Sequence, residues 1–321
     1  MRVGIDTTPL RLTRAGTARY LHNLLARLHV DVEPLAFAGR GRASVLAREL
    51  VWYPFVLGRA KGVDVLHCPT YYGPLRSQPP LVVTVHDLAV FRYPRAFPRW
   101  TRTFVPRFVP QVLRAASRVI AVSEFTRTEL TELVRVPGAK IRVVPNGVDD
   151  VFRPDGPAVG GDYVLAVGTL EPRKNLARLA EAARRAGAEL RVVGACGWGD
   201  VRLDGVRWLG EPADEELARL YRGAAVVAYP SLYEGFGLPV LEAMACGTPV
   251  VTSSGGATEE IAGGAAVLVD PLDPAAIAAG LDEASRRRDE LRARGLERAR
   301  AFSWEDVARR TTEVYGEAAG G

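Results

Sequence analysis

Residues 230–251 read PSLYEGFGLPVLEAMACGTPVV, and two carboxylates in this stretch, Glu234 and Glu242, stand eight positions apart. Between them lie Gly235-Phe236-Gly237 and Leu238-Pro239. The apolar run AVVAYP (225–230) comes just before and predicts a strand. Pro239 suits the first residue of a helix, because its missing N–H is not needed there. Gly247-Thr248-Pro249 must end that helix. Glu234 is therefore expected in a strand-to-helix loop and Glu242 in the first turn or so of the helix. Both then sit at the carboxyl edge of a sheet. Gly235 and Gly237 let the backbone approach a ligand, and the free amides around Gly237 and Leu238 suit an anion. Amides for a phosphate, with two carboxylates to accept from hydroxyls, fit a sugar nucleotide. A carboxylate in a first turn also favours the helix dipole by roughly 0.3–1 kcal/mol. That accounts for Glu242 alone, but for neither Glu234 nor the paired glycines.

The elements that must position these residues alternate along the chain. RVGID (2–6), VDVLHC (63–68), LVVTVH (81–86), RVIAVS (118–123) and KIRVVP (140–145) are apolar, β-branched runs. Such runs suit strands buried on both faces of a parallel sheet. TARYLHNLLARL (17–28) and EFTRTELTELV (124–134) carry helical spacing, and Ser123 is placed to cap the second. Residues 146–162, NGVDDVFRPDGPAVGGD, lose the periodicity and read as a linker. The alternation then restarts with YVLAVGT (163–169), NLARLAEAARRA (175–186), ELRVVG (189–194), VRWLG (206–210) and ADEELARLYRGA (213–224). The expected architecture is α/β, with two Rossmann-like doubly wound domains facing a cleft. Domain one spans 1–155 and domain two 156–302. A last helix, 303–321, begins near Ser303 and Asp306 and is free to pack back on the first domain.

The 321 residues include 48% hydrophobic and 25% charged, as in a soluble globular protein. No apolar run is long enough to span a membrane, and the start MRVGIDTTPL lacks the pattern of a signal peptide. Cys68, Cys196 and Cys246 are odd in number and scattered, which suits a reduced cytoplasm and packing roles. His22, His29, His67 and His86 show no metal-ligand spacing. Residues 1–155 hold 23 Lys+Arg against 12 Asp+Glu, and residues 156–321 hold 19 against 25. The basic half suits an anionic membrane surface or a phosphorylated substrate, or is only a solvated surface. No nucleic-acid motif accompanies it.

The motif Glu234-GFGLPVL-Glu242 resembles the Glu-(seven residues)-Glu signature of retaining glycosyltransferases of family 4. VVTVHDL (82–88), AVSEFTRTEL (121–130), VPNGVD (144–149), VGTLEPRKNL (167–176), GGATEEI (255–261) and FSWEDVA (302–308) resemble the same family in its usual order. The mannosyltransferase-like members that build bacterial surface polysaccharides are the nearest in pattern. The resemblance implies the two-Rossmann GT-B fold, with the acceptor on the first domain and the nucleotide sugar on the second. It implies no cofactor and no metal, the donor being a substrate. Glu234 would hold hydroxyls of the transferred sugar, and Glu242 the nucleotide ribose. Phe236, Gly237 and Leu238 would approach sugar and phosphate through their backbone. Lys174 would pair with the diphosphate, with Arg173 as a second candidate. Many members place an arginine directly after the glycine of the VG strand end, where this chain has Thr169. If Arg173 and Lys174 start a helix, they point about 100° apart. His86, at the end of LVVTVH, is either a satisfied polar group or, as the resemblance implies, a contact to the transferred sugar. Gly16 lies in the first strand-to-helix loop, where the family brings backbone near the diphosphate. Asn146 and Gly147 read best as a turn. The base would be read by loops near 194–200 and 209–216.

A donor such as GDP-mannose, with UDP-glucose or UDP-N-acetylglucosamine as alternatives, and a hydroxyl acceptor, lipid-linked in one version, are the expected partners. Residues 92–118 interleave arginines with Phe97, Trp100, Phe104 and Phe108 and contain no acidic residue. This segment is a candidate for docking on anionic lipid at the inner face of the cell membrane, although Pro106 and Pro110 are expected to break its helix. The alternatives are an epimerase of the same fold and an inactive membrane-docking scaffold.

Overall fold

The computed structural model describes residues 1–12, 16–39, 42–197 and 205–320. The chain divides into two units, Met1–Gly147 with Trp304–Gly321, and Val148–Ser303. The first crossing lies within the Gly/Pro/Asp-rich stretch 146–162, ahead of residue 155.

In the first unit, strands β1 (Arg2–Asp6), β2 (Asp31–Leu35), β3 (Val65–Cys68), β4 (Leu81–Val85), β5 (Arg118–Ala121) and β6 (Ile141–Val143) form a sheet in the order β2-β1-β3-β4-β5-β6. All pairings are parallel, with registers such as Val3↔Val65 and Val83↔Val119. β3 and β4 are buried at every position, as covering on both faces requires. Ser123 accepts from the Thr126 amide and caps helix Glu124–Leu133. Helix Trp304–Ala319 completes this unit. Its Trp304, Val307, Val314 and Tyr315 pack with Val3, Ile5, Tyr20 and Val82.

The prolines do not break the basic segment. One helix runs Arg99–Ala115 through both Pro106 and Pro110. Val105, Phe108, Val109, Val112 and Leu113 form its buried face, and that packing outweighs the local cost. Side chains also return to its carbonyls: Arg107 donates to Thr103 O at 2.8 Å and Arg114 to Pro110 O at 3.0 Å.

The second unit has β7 (Tyr163–Val167), β8 (Glu189–Val193), β9 (Arg207–Trp208), β10 (Val226–Tyr229), β11 (Val250–Ser253) and β12 (Val267–Val269) in the order β12-β11-β10-β7-β8-β9. Counted within the unit, this is the dinucleotide-fold order 3-2-1-4-5-6. The order reverses between β7 and β10, so the helices that follow these two neighbours pass to opposite faces of the sheet, and the carboxyl ends of β7 and β10 form the switch point where such folds bind ligands. Helices Leu176–Arg185 and Pro274–Arg286 cover the sheet through Leu179, Ala182, Ile277 and Leu281. Cys68 and Cys246 are buried packing residues as expected, whereas Cys196 is exposed.

Candidate active site

β7 and β10 end side by side, and the segments that follow them carry the charged residues. After β7 the chain makes a short 3₁₀ turn, Pro172–Lys174, and then Asn175 with φ of 60°. Only after this left-handed residue does helix Leu176–Arg185 begin. Arg173 and Lys174 therefore do not start the helix, and the 100° divergence does not apply. Asn175 Nδ2 donates to Pro230 O at 3.0 Å and Pro271 O at 2.6 Å, which ties the turn to the end of β10.

Both cations converge on Glu234. Lys174 Nζ donates to Glu234 Oε1 at 2.6 Å, and Arg173 donates to Oε2 at 2.9 Å. Arg173 also donates to Glu171 Oε1 at 2.6 Å and Tyr233 O at 2.7 Å. Tyr229, the last residue of β10, stands between them. Lys174 donates to its hydroxyl at 2.6 Å, and that hydroxyl lies 2.9 Å from Glu234 Oε1. The side chains of Arg173, Lys174 and Glu234 are only 10–13% exposed. Burial alone would raise the Glu234 carboxyl, but Lys174 and then Arg173 outweigh it and hold the group at about 2. Burial pushes the Lys174 ammonium below its ordinary value, against the pull of Glu234. Gly168 makes room for the lysine: a Cβ there would lie 3.1 Å from Lys174 Cε, and its φ is 154°. Sequence pattern alone marks neither Tyr229 nor Glu171 as a site residue. An aromatic at a strand end reads as core, and a glutamate beside Pro172 reads as surface.

Glu242 is held separately. Helix Leu238–Ala245 starts after Gly237, whose φ is 105°, and Pro239 is its second residue rather than its first. A Cβ at Gly237 would meet Thr258 Cγ2 at 3.0 Å, so only glycine fits. Glu242 falls in the second turn, is buried, and accepts from the Tyr221 hydroxyl at 2.8 Å. Phe236 is buried edge-to-face on Phe302 at 6.1 Å, so its ring is core and its backbone is the part available at the loop.

His86 and Gly16 belong to the first unit. His86 follows β4 directly and is half-buried. Its Nε2–H donates to Pro69 O at 2.9 Å, which leaves Nδ1 as an acceptor. Burial lowers its pKa, so the ring is neutral. Tyr20 packs edge-on to it at 4.8 Å. Behind lies a buried chain the sequence did not reveal: His67 Nδ1 is 2.7 Å from the Tyr315 hydroxyl, and its Nε2 is 2.9 Å from Thr84 Oγ1. Burial holds His67 at about 3. Gly16 is the exposed first residue of helix Gly16–Arg27, and residues 13–15 of the preceding loop lie outside the described residues. So do residues 198–200 of the expected base-reading loop. Among the described residues, no group of three His, Cys, Asp or Glu is placed to hold a metal ion.

Residues 149–302 match a family model described as "Glycosyl transferases group 1", and residues 13–152 one described as "Glycosyltransferase Family 4". O-antigen chain mannosyltransferase B of Escherichia coli is 33% identical over 281 residues, which cover 78% of this chain and 74% of that protein. The MMP alpha-(1->4)-mannosyltransferase of Mycolicibacterium hassiacum is 31% identical over 282 residues, covering 74% and 66%. Among solved structures, sucrose-phosphate synthase from Thermosynechococcus elongatus superposes with a TM-score of 0.77 at 22% identity, covering 99% of this chain and 98% of that one. The fold is the two-Rossmann GT-B fold. The chain belongs to glycosyltransferase family 4, and it is a glycosyltransferase whose substrates are a nucleotide sugar and an acceptor.

Proposed function

We propose that this enzyme transfers a hexose, with mannose from GDP-mannose the favoured case, to a hydroxyl acceptor with retention of configuration and without a metal ion. The observation that carries the reading is the convergence of Lys174, Arg173 and Tyr229 on Glu234 at the ends of β7 and β10. As the bond from the sugar to the diphosphate breaks, negative charge grows on the leaving phosphate. Lys174 and the amides at the start of helix Leu238–Ala245 stabilise that charge. Losing one such contact costs roughly 3–4 kcal/mol of barrier, by analogy with oxyanion sites. Glu234 accepts from hydroxyls of the transferred sugar, and Glu242 from the ribose. His86, on the first unit, offers a neutral Nδ1 as a hydrogen-bond acceptor. The acceptor hydroxyl attacks the face that the phosphate leaves, and its proton passes to the leaving phosphate oxygen. Arg173 holds Glu234 in place through Glu171 and Tyr233 O, and does not replace the arginine missing at Thr169. The nucleotide belongs to Val148–Ser303 and the acceptor to the first unit.

The relatives named O-antigen chain mannosyltransferases support mannose and a role in surface-polysaccharide or glycolipid synthesis. A lipid-linked acceptor fits one surface of the first unit. Leu46, Leu50, Val51, Phe55 and Val56 are exposed on and just before a π-helix, Arg48–Val56. Leu50/Phe55 and Val51/Val56 are five apart, the hydrogen-bond spacing of a π-helix and a little more than one of its turns. Exposed Trp100 donates to Glu49 Oε2 at 2.6 Å, which joins the basic helix Arg99–Ala115 to this apolar face. Glu49 is buried and is the sole acidic residue in 34–63. This surface supports a reading in which the first unit docks peripherally on anionic lipid. No helix among the described residues is long and apolar enough to cross a membrane.

The test is a panel of nucleotide sugars followed by NMR of the product. GDP-mannose is expected to be turned over in EDTA, with the anomeric configuration kept. An inverted product, or a strict need for magnesium or manganese, refutes the mechanism.

A further inference from the structure

A phenol buried at the end of a central strand must find partners for its hydroxyl. Tyr229 is 4% exposed and has two partners of opposite charge. Lys174 Nζ donates to its oxygen at 2.6 Å, and its own proton points to Glu234 Oε1 at 2.9 Å. Lys174 also reaches the same Oε1 at 2.6 Å, so the three atoms close a triangle. The ammonium lies 5.0 Å from the centroid of the Tyr229 ring, within the range of a cation–π contact.

We propose that Tyr229 is a positioning residue for the transfer reaction: it locks the Lys174 ammonium and the Glu234 carboxylate into one geometry and keeps the lysine charged before donor binds. The inference rests on reading Lys174 and Glu234 as donor machinery. A lysine has a flexible four-carbon stem, and burial drives it to lose its proton. The charged groups that face Lys174 are Glu234, Arg173 and Glu171, and the Tyr229 phenol meets it by hydrogen bond. Glu234 and Glu171 favour its charge and Arg173 opposes it. Tyr229 adds a neutral acceptor that does not move, because the sheet aims it. Its backbone is in register with Thr252 of β11, and Thr252 Oγ1 donates to Tyr229 O at 3.0 Å. Burial first, and then Glu234, keep the phenol protonated, so it donates and accepts at once.

Tyr229→Phe keeps the ring and removes only the hydroxyl. The chain has three lysines, Lys61, Lys140 and Lys174, so protein labelled with 13C-lysine gives three Cε signals, with Lys174 assigned by Lys174→Arg. In Tyr229→Phe the Lys174 titration midpoint is expected to fall by about one pH unit, while Lys61 and Lys140 stay in place. Release of nucleoside diphosphate from GDP-mannose should show kcat about ten-fold lower or more, with KM for the donor nearly unchanged. The alkaline limb of kcat/KM, which reports the free enzyme, should move to lower pH by the same amount as the NMR midpoint. An unmoved midpoint overturns the proposal. So does a rate loss that is equal at all pH values and matches a lower folded fraction, which would be a structural effect only. Glu234→Gln and Lys174→Met separate the two levels. If both keep wild-type turnover, the donor-site reading fails. If both lose turnover and Tyr229→Phe does not, only the role of Tyr229 falls.

Discussion

Glu234→Gln keeps the shape of the side chain and removes its charge. Glu171 still pairs with Arg173 at 2.6 Å, so Lys174 becomes the buried cation without its carboxylate. Removing one partner of a buried pair costs about 3–5 kcal/mol. The side chains here retain 10–13% exposure, which places the cost near the low end, about 3 kcal/mol. For a unit of the size of Val148–Ser303, each kcal/mol moves Tm by about 2–4 °C, so the expected loss is about 6–12 °C. A diphosphate restores the missing negative charge. GDP or UDP should therefore raise Tm more in Glu234→Gln than in the wild type, and bind it at least as tightly. Turnover should fall about 100-fold or more, because the sugar hydroxyls lose a charged acceptor and one of its two oxygens becomes an NH2 donor. Differential scanning calorimetry across a nucleotide titration measures both effects. An unchanged Tm together with an equal nucleotide-induced shift would show that the cations do not lean on Glu234, and would refute the reasoning.

Glu242→Ala should weaken GDP or UDP binding about ten-fold or more, because a charged hydrogen-bond acceptor is lost, and Tyr221→Phe should weaken it less. Isothermal calorimetry decides, and equal losses in Glu234 and Glu242 variants would remove the division between sugar and ribose. The pH dependence follows from Glu234, held at about 2 in the folded chain against an ordinary 4.5. A depressed carboxyl stabilises fully above its unfolded pKa, so about 3 kcal/mol is present above pH 4.5 and is lost as pH falls towards 2. The Tm gap between wild type and Glu234→Gln should close over that window; a gap that is constant from pH 5 to pH 2 contradicts the ion pairs. On the first unit, co-sedimentation with anionic but not neutral vesicles is expected, falling with salt. Changing Arg99, Arg102 and Arg107 to Glu, or Leu50 and Phe55 to Ser, should weaken it; indifference to lipid charge rules out docking.

Much of this protein is local pattern. Near-continuous apolar runs mark β3, β4, β7 and β10, because strands covered on both faces admit few polar residues. Ser123 announces its helix because capping is a contact three residues long. Glycine, proline and two glutamates mark the loop after β10 for the same reason: special backbone angles and free amides are properties of a few adjacent residues. The partners of the charges are another matter. Lys174 and Glu234 are 60 residues apart and meet only because β7 and β10 are neighbours where the strand order reverses. Arg173 turns inward because Asn175 takes a left-handed angle and is anchored to β10. Helix Arg99–Ala115 survives two prolines because its apolar face is buried, a gain that no propensity contains. Tyr315 reaches His67 from 248 residues away, since the last helix returns to the first sheet. Sequence periodicity determines which residues are inside. Which charges and hydroxyls share that interior depends on strand order and on the path of the chain between strands, and only the tertiary structure decides it.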